Sequence, residues 1–186
     1  VLIGGNSGRD ITQGDENVAV GYNAGRYIQQ GDSNTLIGHN AGNAVLNSNN
    51  NTIVGANAGD AISSGANNSI LGTAALSTAT TALNTVFIGR SAGEDIAAGQ
   101  ALNGVVAIGW EAFKGSGSTT AGTSGADGTV AIGYQALTAL TTGIANTAIG
   151  FEALKTEDTS DGNVAIGHQA LATQNAVDNA GNTAVG

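Results

Sequence analysis

The 186-residue chain contains no cysteine, no proline and no methionine, and only 4% of its residues are aromatic. Without cysteine it can form neither a disulfide nor a thiolate metal site. The scarcity of large apolar side chains argues against the bulky core of an ordinary globular domain. Apolar residues still make up 41% of the chain, mostly as Ala, Val, Ile and Leu. This composition favours thin, regular layers.

Positive charge is also scarce, with 5 Lys and Arg against 14 Asp and Glu and a formal net charge of −9. So few cations cannot build a phosphate-binding surface, which argues against nucleic acid and anionic lipid as partners. No apolar run approaches the ~18 residues that a membrane-spanning helix needs. We therefore expect neither nucleic-acid binding nor membrane insertion in this segment.

What the chain has in abundance is repetition. A short apolar phrase ending in glycine recurs throughout, as in ENVAVG (16–21), SNTLIG (33–38) and GNVAIG (162–167). Successive final glycines are mostly 17 residues apart, with longer spacings of 20, 24 and 19. A period of this length suits one coil of a β-solenoid and is too short for a helical repeat. We predict one all-β domain over 1–186, of about ten coils, cut from a longer fibre because the repeat runs to both ends.

The residue before each of these glycines is always Val, Ile or Leu. Such intolerance of polar side chains predicts a buried position, which we call the core ladder. The residue two places earlier shares its side of the strand and is Val, Thr or Ser, and the residue between them is mostly Ala. With both faces apolar, we expect the coil to cover one and association of three chains to cover the other. The predicted core ladder is Val20, Ile37, Val54, Leu71, Ile88, Ile108, Ile132, Ile149 and Ile166.

Other positions repeat as well. Asn opens most phrases, which fits either an inward ladder of side chains or a left-handed corner. An apolar residue seven places after the glycine, such as Ile28 or Ile62, predicts a short second strand. Gly31 and Gly65, three residues further on, predict tight corners.

The phrases NTAIG (146–150) and NTAVG (182–186) resemble the coil signature of head domains in trimeric autotransporter adhesins. The longer phrases NTAIGFEAL (146–154) and GNVAIGHQAL (162–171) are similar to repeats of phage tail-fibre proteins. The resemblance covers essentially the whole chain and implies a left-handed parallel β-roll in which three chains form one rod. It also implies a structural and adhesive segment outside the cell, on a virion fibre or a bacterial surface. The 17-residue period is longer than an adhesin coil, which implies longer outer turns.

Motifs for catalysis or cofactor binding are weak. The glycine-rich segments 4–8 and 115–125 lack the Lys-Ser/Thr of a phosphate-binding loop. His39 and His168 are too many coils apart to share a metal. The acidic segment 155–163 has no calcium-loop spacing and is interpreted as a solvated turn. The sequence therefore predicts no enzyme activity, no cofactor and no metal site.

The position after the glycine is variable and rich in rings. Two interpretations fit it: a row of rings that binds a glycan or receptor, or packing between chains. Packing is favoured, because this position has the parity of the core ladder. The row contains Tyr22, His39, Trp110, Tyr134, Phe151 and His168.

Insertions interrupt the period at 99–104 and, with a longer loop, at 114–128. Regular coils leave no interior room for extra residues, so both insertions are expected to bulge outward. The longer one is the predicted contact patch for a host-surface or extracellular receptor, or a glycan. Its candidate contacts are Trp110, Lys114, Ser118, Thr119, Thr123 and Asp127.

An ice-binding β-solenoid is the alternative function. Threonine recurs at what is interpreted as one position of the repeat, but it alternates with Val and Ser and forms no continuous Thr-x-Thr ladder. The threonines in question are Thr35, Thr52, Thr85, Thr129, Thr147 and Thr183.

Overall fold

The computed structural model describes residues 1–115, 126–174 and 181–186. Short parallel strands joined by turns make up these ranges, which contain no helix. Most strands lie within the repeated phrase and end just before its glycine. The strands are β1 (Leu2–Ile3), β2 (Val18–Val20), β3 (Thr35–Ile37), β4 (Thr52–Val54), β5 (Ser64–Ala66), β6 (Ser69–Leu71), β7 (Thr81–Leu83), β8 (Val86–Ile88), β9 (Ala101–Asn103), β10 (Val106–Ile108), β11 (Val130–Ile132), β12 (Thr147–Ile149), β13 (Val164–Ile166) and β14 (Thr183–Val185).

Eleven strands form one parallel sheet, in the order β1-β2-β3-β4-β6-β8-β10-β11-β12-β13-β14. Each strand pairs with the equivalent residues of the next repeat, so that Ile132, for example, lies opposite Ile149. A second wall contains the three-stranded sheet β5-β7-β9. This architecture confirms the all-β parallel solenoid of about ten coils.

The interior of the coil lies on the opposite side of the strand from the predicted core ladder. Except in the first and last phrases, the middle residue is buried, for example Ala19, Leu36 and Phe87, each with 0% exposure. In the single chain no residue of the core ladder is buried, and Ile37 and Ile166 are 39% and 38% exposed. Within the single chain, therefore, the core ladder does not fill the coil and is not buried as predicted. Since both faces of the strand are apolar, alternation alone could not tell the inner face from the outer one.

The interior is filled by pairing large side chains with small ones. Where the middle strand residue is large, as at Ile53 and Phe87, the residue four places after the following glycine is also glycine, except after Ile70. A Cβ at Gly59 or Gly93 would meet the side chain of Ile53 or Phe87 respectively. In the later coils the middle residue is alanine, and an apolar side chain takes the other position, which keeps the filled volume similar. This side chain is buried except at Leu171, which is partly buried. The alanine coils pair Ala107 with Phe113, Ala131 with Leu137, Ala148 with Leu154 and Ala165 with Leu171.

Asparagine at the start of the phrase forms an inward ladder. Asn34 is fully buried, and both its backbone N–H and its side-chain Nδ2 donate to Oδ1 of Asn17 at 3.0 Å. The same Nδ2 donates to the carbonyl of Ser48 at 2.7 Å. Of the two roles that the sequence allowed for this residue, the ladder is the one adopted. The left-handed corner falls on the residue before it, with φ of 57° at Ser33 and 58° at Asn50.

Two kinds of glycine have different roles. The glycine that ends each phrase has φ between 130° and 143°, which favours a residue without a Cβ. Gly31 and Gly65, by contrast, have no positive φ, so they are not the tight corners predicted. They are glycines because a Cβ would meet the carbonyl oxygen of Ser48 or Ala82 in the next coil.

The predicted second strand is only partly present. The apolar residue seven places after the glycine points inward, as at Ile28 and Ile62, but it lies just after a turn and outside any strand. Strands form two to four residues later in three coils, as β5, β7 and, after the inserted residues, β9.

The insertion 99–104 does not bulge outward as a whole, contrary to prediction. Ala98 and Gly99 are exposed, but residues 101–103 form β9 with Leu102 buried. Gln100 is also buried and donates from Nε2 to the carbonyl of Thr141, two repeats further on, at 3.3 Å.

The recurring threonines do not share one position. Thr35, Thr52, Thr147 and Thr183 lie on the outer strand face, but Thr85 and Thr129 are buried in the asparagine ladder. The Thr85 hydroxyl donates to Asn68 Oδ1 at 2.8 Å, which is the contact that asparagine makes elsewhere.

Candidate interaction surface

An uninterrupted apolar strip runs along the outer face of the long sheet. Its centre is the set of Val, Ile and Leu residues that precede the phrase-ending glycines, here called the aliphatic row. None of these residues is buried in the single chain, and Leu71 and Ile88 are 38% and 37% exposed. The residue two places earlier on the same face is Val, Thr or Ser, so this part of the strip carries no charge. The aliphatic row is Ile3, Val20, Ile37, Val54, Leu71, Ile88, Ile108, Ile132, Ile149, Ile166 and Val185.

Four rings extend the strip in the second half of the chain. This aromatic row consists of Trp110, Tyr134, Phe151 and His168, each directly after a phrase-ending glycine. The Tyr134 and Phe151 rings are nearly parallel, with centroids 4.9 Å apart, and Phe151 and His168 are 5.1 Å apart. Trp110 meets Tyr134 at 76° with centroids 4.9 Å apart. Trp110 and Phe151 are 42% and 41% exposed, so the row lies on the outer surface of the single chain.

The ring position lies on the same outer side of the single chain as the aliphatic row, so the chain itself does not cover the rings. The corresponding row of rings in the first half contains only Tyr22 and His39. The two rings are stacked with centroids 5.6 Å apart, and Tyr22 is 54% exposed.

Beside the aromatic row lies a row of acidic and amide side chains. Gln135 Nε2 donates to Glu111 Oε2 at 2.7 Å, and Gln169 Nε2 donates to Glu152 Oε2 at 2.8 Å. Lys155 pairs with Glu152 at 2.6 Å. The hydrogen bond from Gln135 lowers the pKa of Glu111 below its ordinary value, and that from Lys155 lowers the pKa of Glu152. Both carboxylates therefore remain ionised at neutral pH, giving this side of the strip a polar border.

The predicted contact patch divides between described and undescribed residues. Ser118, Thr119 and Thr123 lie outside the described residues. Lys114, at the base of the insertion, lies 3.8, 3.6 and 3.5 Å from carboxylate oxygens of Glu94, Asp95 and Glu111.

Asp127, at the other end of the insertion, accepts the Asn103 backbone N–H at 2.9 Å. Lys114 and Asp127, at the two ends of the insertion, thus contact neighbouring coils. Trp110 belongs instead to the aromatic row.

The acidic segment 155–163 is not simply a solvated turn. Glu157 is fully buried, at the inward position that holds Leu140 one coil earlier. Its Oε1 accepts the backbone N–H of Ser160 at 2.9 Å, and its Oε2 accepts from Gln174 Nε2 at 3.4 Å. The carboxylate substitutes for an apolar side chain because backbone and amide donors surround it.

Among the described residues, no group of three or more His, Asp and Glu side chains is arranged to hold a metal ion. A groove of about 510 Å³ is lined by Glu152, Lys155, Thr156, Gln169, Leu171, Ala172 and Thr173. The carboxylate in that lining, Glu152, is held on both oxygens by Lys155 and Gln169.

These features define the chain as a parallel β-solenoid repeat with an apolar outer strip. Comparison with family models, with curated proteins and with solved structures found no match. Nowhere in 1–115, 126–174 or 181–186 is there a helix with the length and hydropathy of a membrane span.

Proposed function

We propose that this segment is part of a homotrimeric, left-handed β-roll rod that serves as the shaft of an extracellular fibre. The fibre is a phage tail fibre or a bacterial surface adhesin, and the shaft holds a receptor-binding surface away from the particle or cell. Its role is mechanical, since stacked coils with paired backbones give a stiff element of defined length.

The aliphatic row is the observation that carries this proposal. With ~4.8 Å between strands, ten steps give a strip ~48 Å long. Two outward side chains per strand make it roughly 10 Å wide, or on the order of 500 Å² before any ring is counted. Patches of this size on isolated chains are commonly binding surfaces.

Further copies of the chain are the partner that fits the strip. The strip is uncharged and repeats every coil, so an identical strip matches it in both length and chemistry. When three chains close around an axis, the strip of each chain contacts both of the other chains.

The mass of the particle in solution tests the proposal most directly. Sedimentation equilibrium across micromolar concentrations is expected to give three times the chain mass of 18.1 kDa. Ile132→Asp should reduce this to one chain mass without loss of the β-sheet circular dichroism, because Ile132 lies outside the coil. A stable monomer of the unsubstituted chain contradicts the proposal.

Receptor contact is proposed for the insertion 114–128, repeated three times around the rod. Support comes from its position, where a regular coil is interrupted, and from the anchoring of its base by Lys114 and Asp127. Replacing 115–127 with a regular turn should leave the trimer intact and abolish attachment to the natural target. Unchanged attachment would show that the insertion has no part in recognition.

Ice binding gains no support from the threonines, because Thr85 and Thr129 are buried in the coil. The outer threonine positions are separated by Ser69, Val86, Val106, Val130 and Val164.

A further inference from the structure

We infer that the aromatic row of Trp110, Tyr134, Phe151 and His168 lies in the contact between copies of this chain. It widens the apolar strip in the second half of the rod, so that this half holds the chains together more strongly than the first half. The inference rests on the proposed trimer and identifies which side of the coil faces the other chains.

Ring stacking argues against an outer platform for saccharide. Tyr134, Phe151 and His168 are stacked with interplanar angles of 8° and 6°. Each ring thus covers a face of its neighbour and leaves mainly its edge to the outside. A saccharide packs its C–H groups against a free ring face, whereas ring edges pack well against other aromatic or aliphatic side chains.

The aromatic row is also continuous with the aliphatic row. Ile108 and Trp110 are two residues apart along the chain, as are Ile149 and Phe151. Two residues span at most about 7 Å, so both rows can be covered by the same neighbouring chain.

Charge supports the same assignment. From coil to coil between Val106 and His168, neither the outer strand positions nor the ring positions contain a Lys, Arg, Asp or Glu. Charge begins at the next position, with Glu111 and Glu152 held by lysine and glutamine. An apolar centre with a polar border is the usual organisation of a protein–protein interface.

The first half lacks this organisation. At the same positions it has Ala56, Thr73 and the exposed Arg90 between the Tyr22–His39 pair and Trp110. Its strip is therefore narrower and includes a charge, which costs free energy when it is desolvated without a partner.

Trp110 is the one tryptophan of the chain, so its fluorescence reports directly on the aromatic row. In the single chain it is 42% exposed. Assembly should move its emission to shorter wavelength and protect it from iodide. The reference is the Ile132→Asp variant, which keeps all four rings but is expected to stay unassembled.

Phe151→Ser and Tyr22→Ser form a matched pair of variants. Each removes an exposed ring from the same position of the repeat, and each can be checked for folding by circular dichroism. Phe151→Ser should weaken assembly, measured by sedimentation, about tenfold or more, because it removes the centre of a four-ring row. Tyr22→Ser should weaken it much less.

A trimer with protected Trp110 and a larger effect at Phe151 supports the inference. If the trimer forms but iodide quenches Trp110 as strongly as in Ile132→Asp, the row faces outward, free for a ligand such as a saccharide. The inference then fails while the proposed rod stands. Equal effects of the two serine variants also contradict it. A chain that remains monomeric overturns the inference and the proposed function together.

Discussion

The two halves of the solenoid share one backbone and fill it with different side chains. In the first half the strand interior contains Leu36, Ile53 and Phe87 with glycine in the following turn, whereas later coils combine alanine with Leu137 or Leu154. On the surface, an amide ladder in which Asn23 donates to Asn40 at 3.1 Å gives way to the paired Glu152 and Gln169. The backbone is thus set by what both halves share, namely inward asparagine or threonine, the phrase-ending glycine and a constant interior volume.

Two exceptions show that volume is shared between neighbouring coils. Ala19 and Gly25 are both small, and a Cβ at Gly25 would meet Leu36 of the next coil at 2.6 Å. Ile70 and Leu76 are both large, but the coils on either side have glycine at the position of Leu76. The constraint therefore applies to adjacent coils together, as expected for a close-packed interior.

The largest expected difference is between aspartate substitutions on the inner and outer faces of one strand. Ala148→Asp places an unpaired carboxylate in the coil, which costs several kcal/mol and should unfold the second half. Ile149→Asp, one residue away, should leave the coil folded and prevent assembly. Circular dichroism and sedimentation on the two variants separate these outcomes. Similar loss of secondary structure in both would contradict the assignment of inner and outer faces.

Loss of an asparagine side chain should cost more stability in the inner ladder than in the outer one. Asn34→Ala leaves the Asn51 N–H, the Asn51 amide and the Ser48 carbonyl without their partner, a loss of about 3 kcal/mol. Asn40→Gly in the outer ladder should cost less than about 1 kcal/mol, because water replaces the lost contact and glycine tolerates the φ of 53° at this position. Urea denaturation of both variants provides the measurement. Equal costs would mean that the inner ladder is as well solvated as the outer one.

It should be possible to convert a coil that combines a large strand residue with glycine into one that combines alanine with leucine. Gly59→Leu alone should destabilise by about 2 kcal/mol or more, because a Cβ there meets Ile53 Cδ1 at 2.9 Å and φ is 52°. Adding Ile53→Ala makes room and should recover part of that loss. Thermal unfolding of both single variants and the double variant gives the coupling. Simple additivity would show that the two positions do not share volume.

The smallest expected difference between the halves is in pH dependence. Burial raises the pKa of Asp60, so its folded form favours the proton and its contribution to stability falls as pH rises through that raised pKa. The lowered pKa of Glu111 acts in the opposite sense: its contribution is present above the ordinary value and is lost as pH falls through the folded pKa. Asp60→Asn should therefore raise the melting temperature at neutral pH, and Glu111→Gln should lower it. Melting curves between pH 3 and 7 check both directions.

Several features were predictable because they depend on periodicity alone. A 17-residue repeat of apolar phrases indicates parallel strands stacked in register, and Ile132 does lie opposite Ile149. Alanine stands three residues after all but one of the phrase-ending glycines that have a residue there, as at Ala24, and it follows the same period and is buried. Buried Glu157 was not predictable, since its acceptor role depends on backbone donors that only the folded turn brings to it.

By itself, then, the amino-acid sequence determined the repeat, its length and the stacking of like on like, because identical segments pair best with one another in register. Only the tertiary structure decided which face of each strand became the interior. Both faces are apolar, and the choice was made by fit: alanine, or a large side chain beside a glycine, suits the narrow coil, and asparagine can bond its neighbour only from within. The core ladder, which the sequence marked most strongly as interior, lies on the outside of the coil. There it forms the strip for which we propose further copies of the chain as the partner.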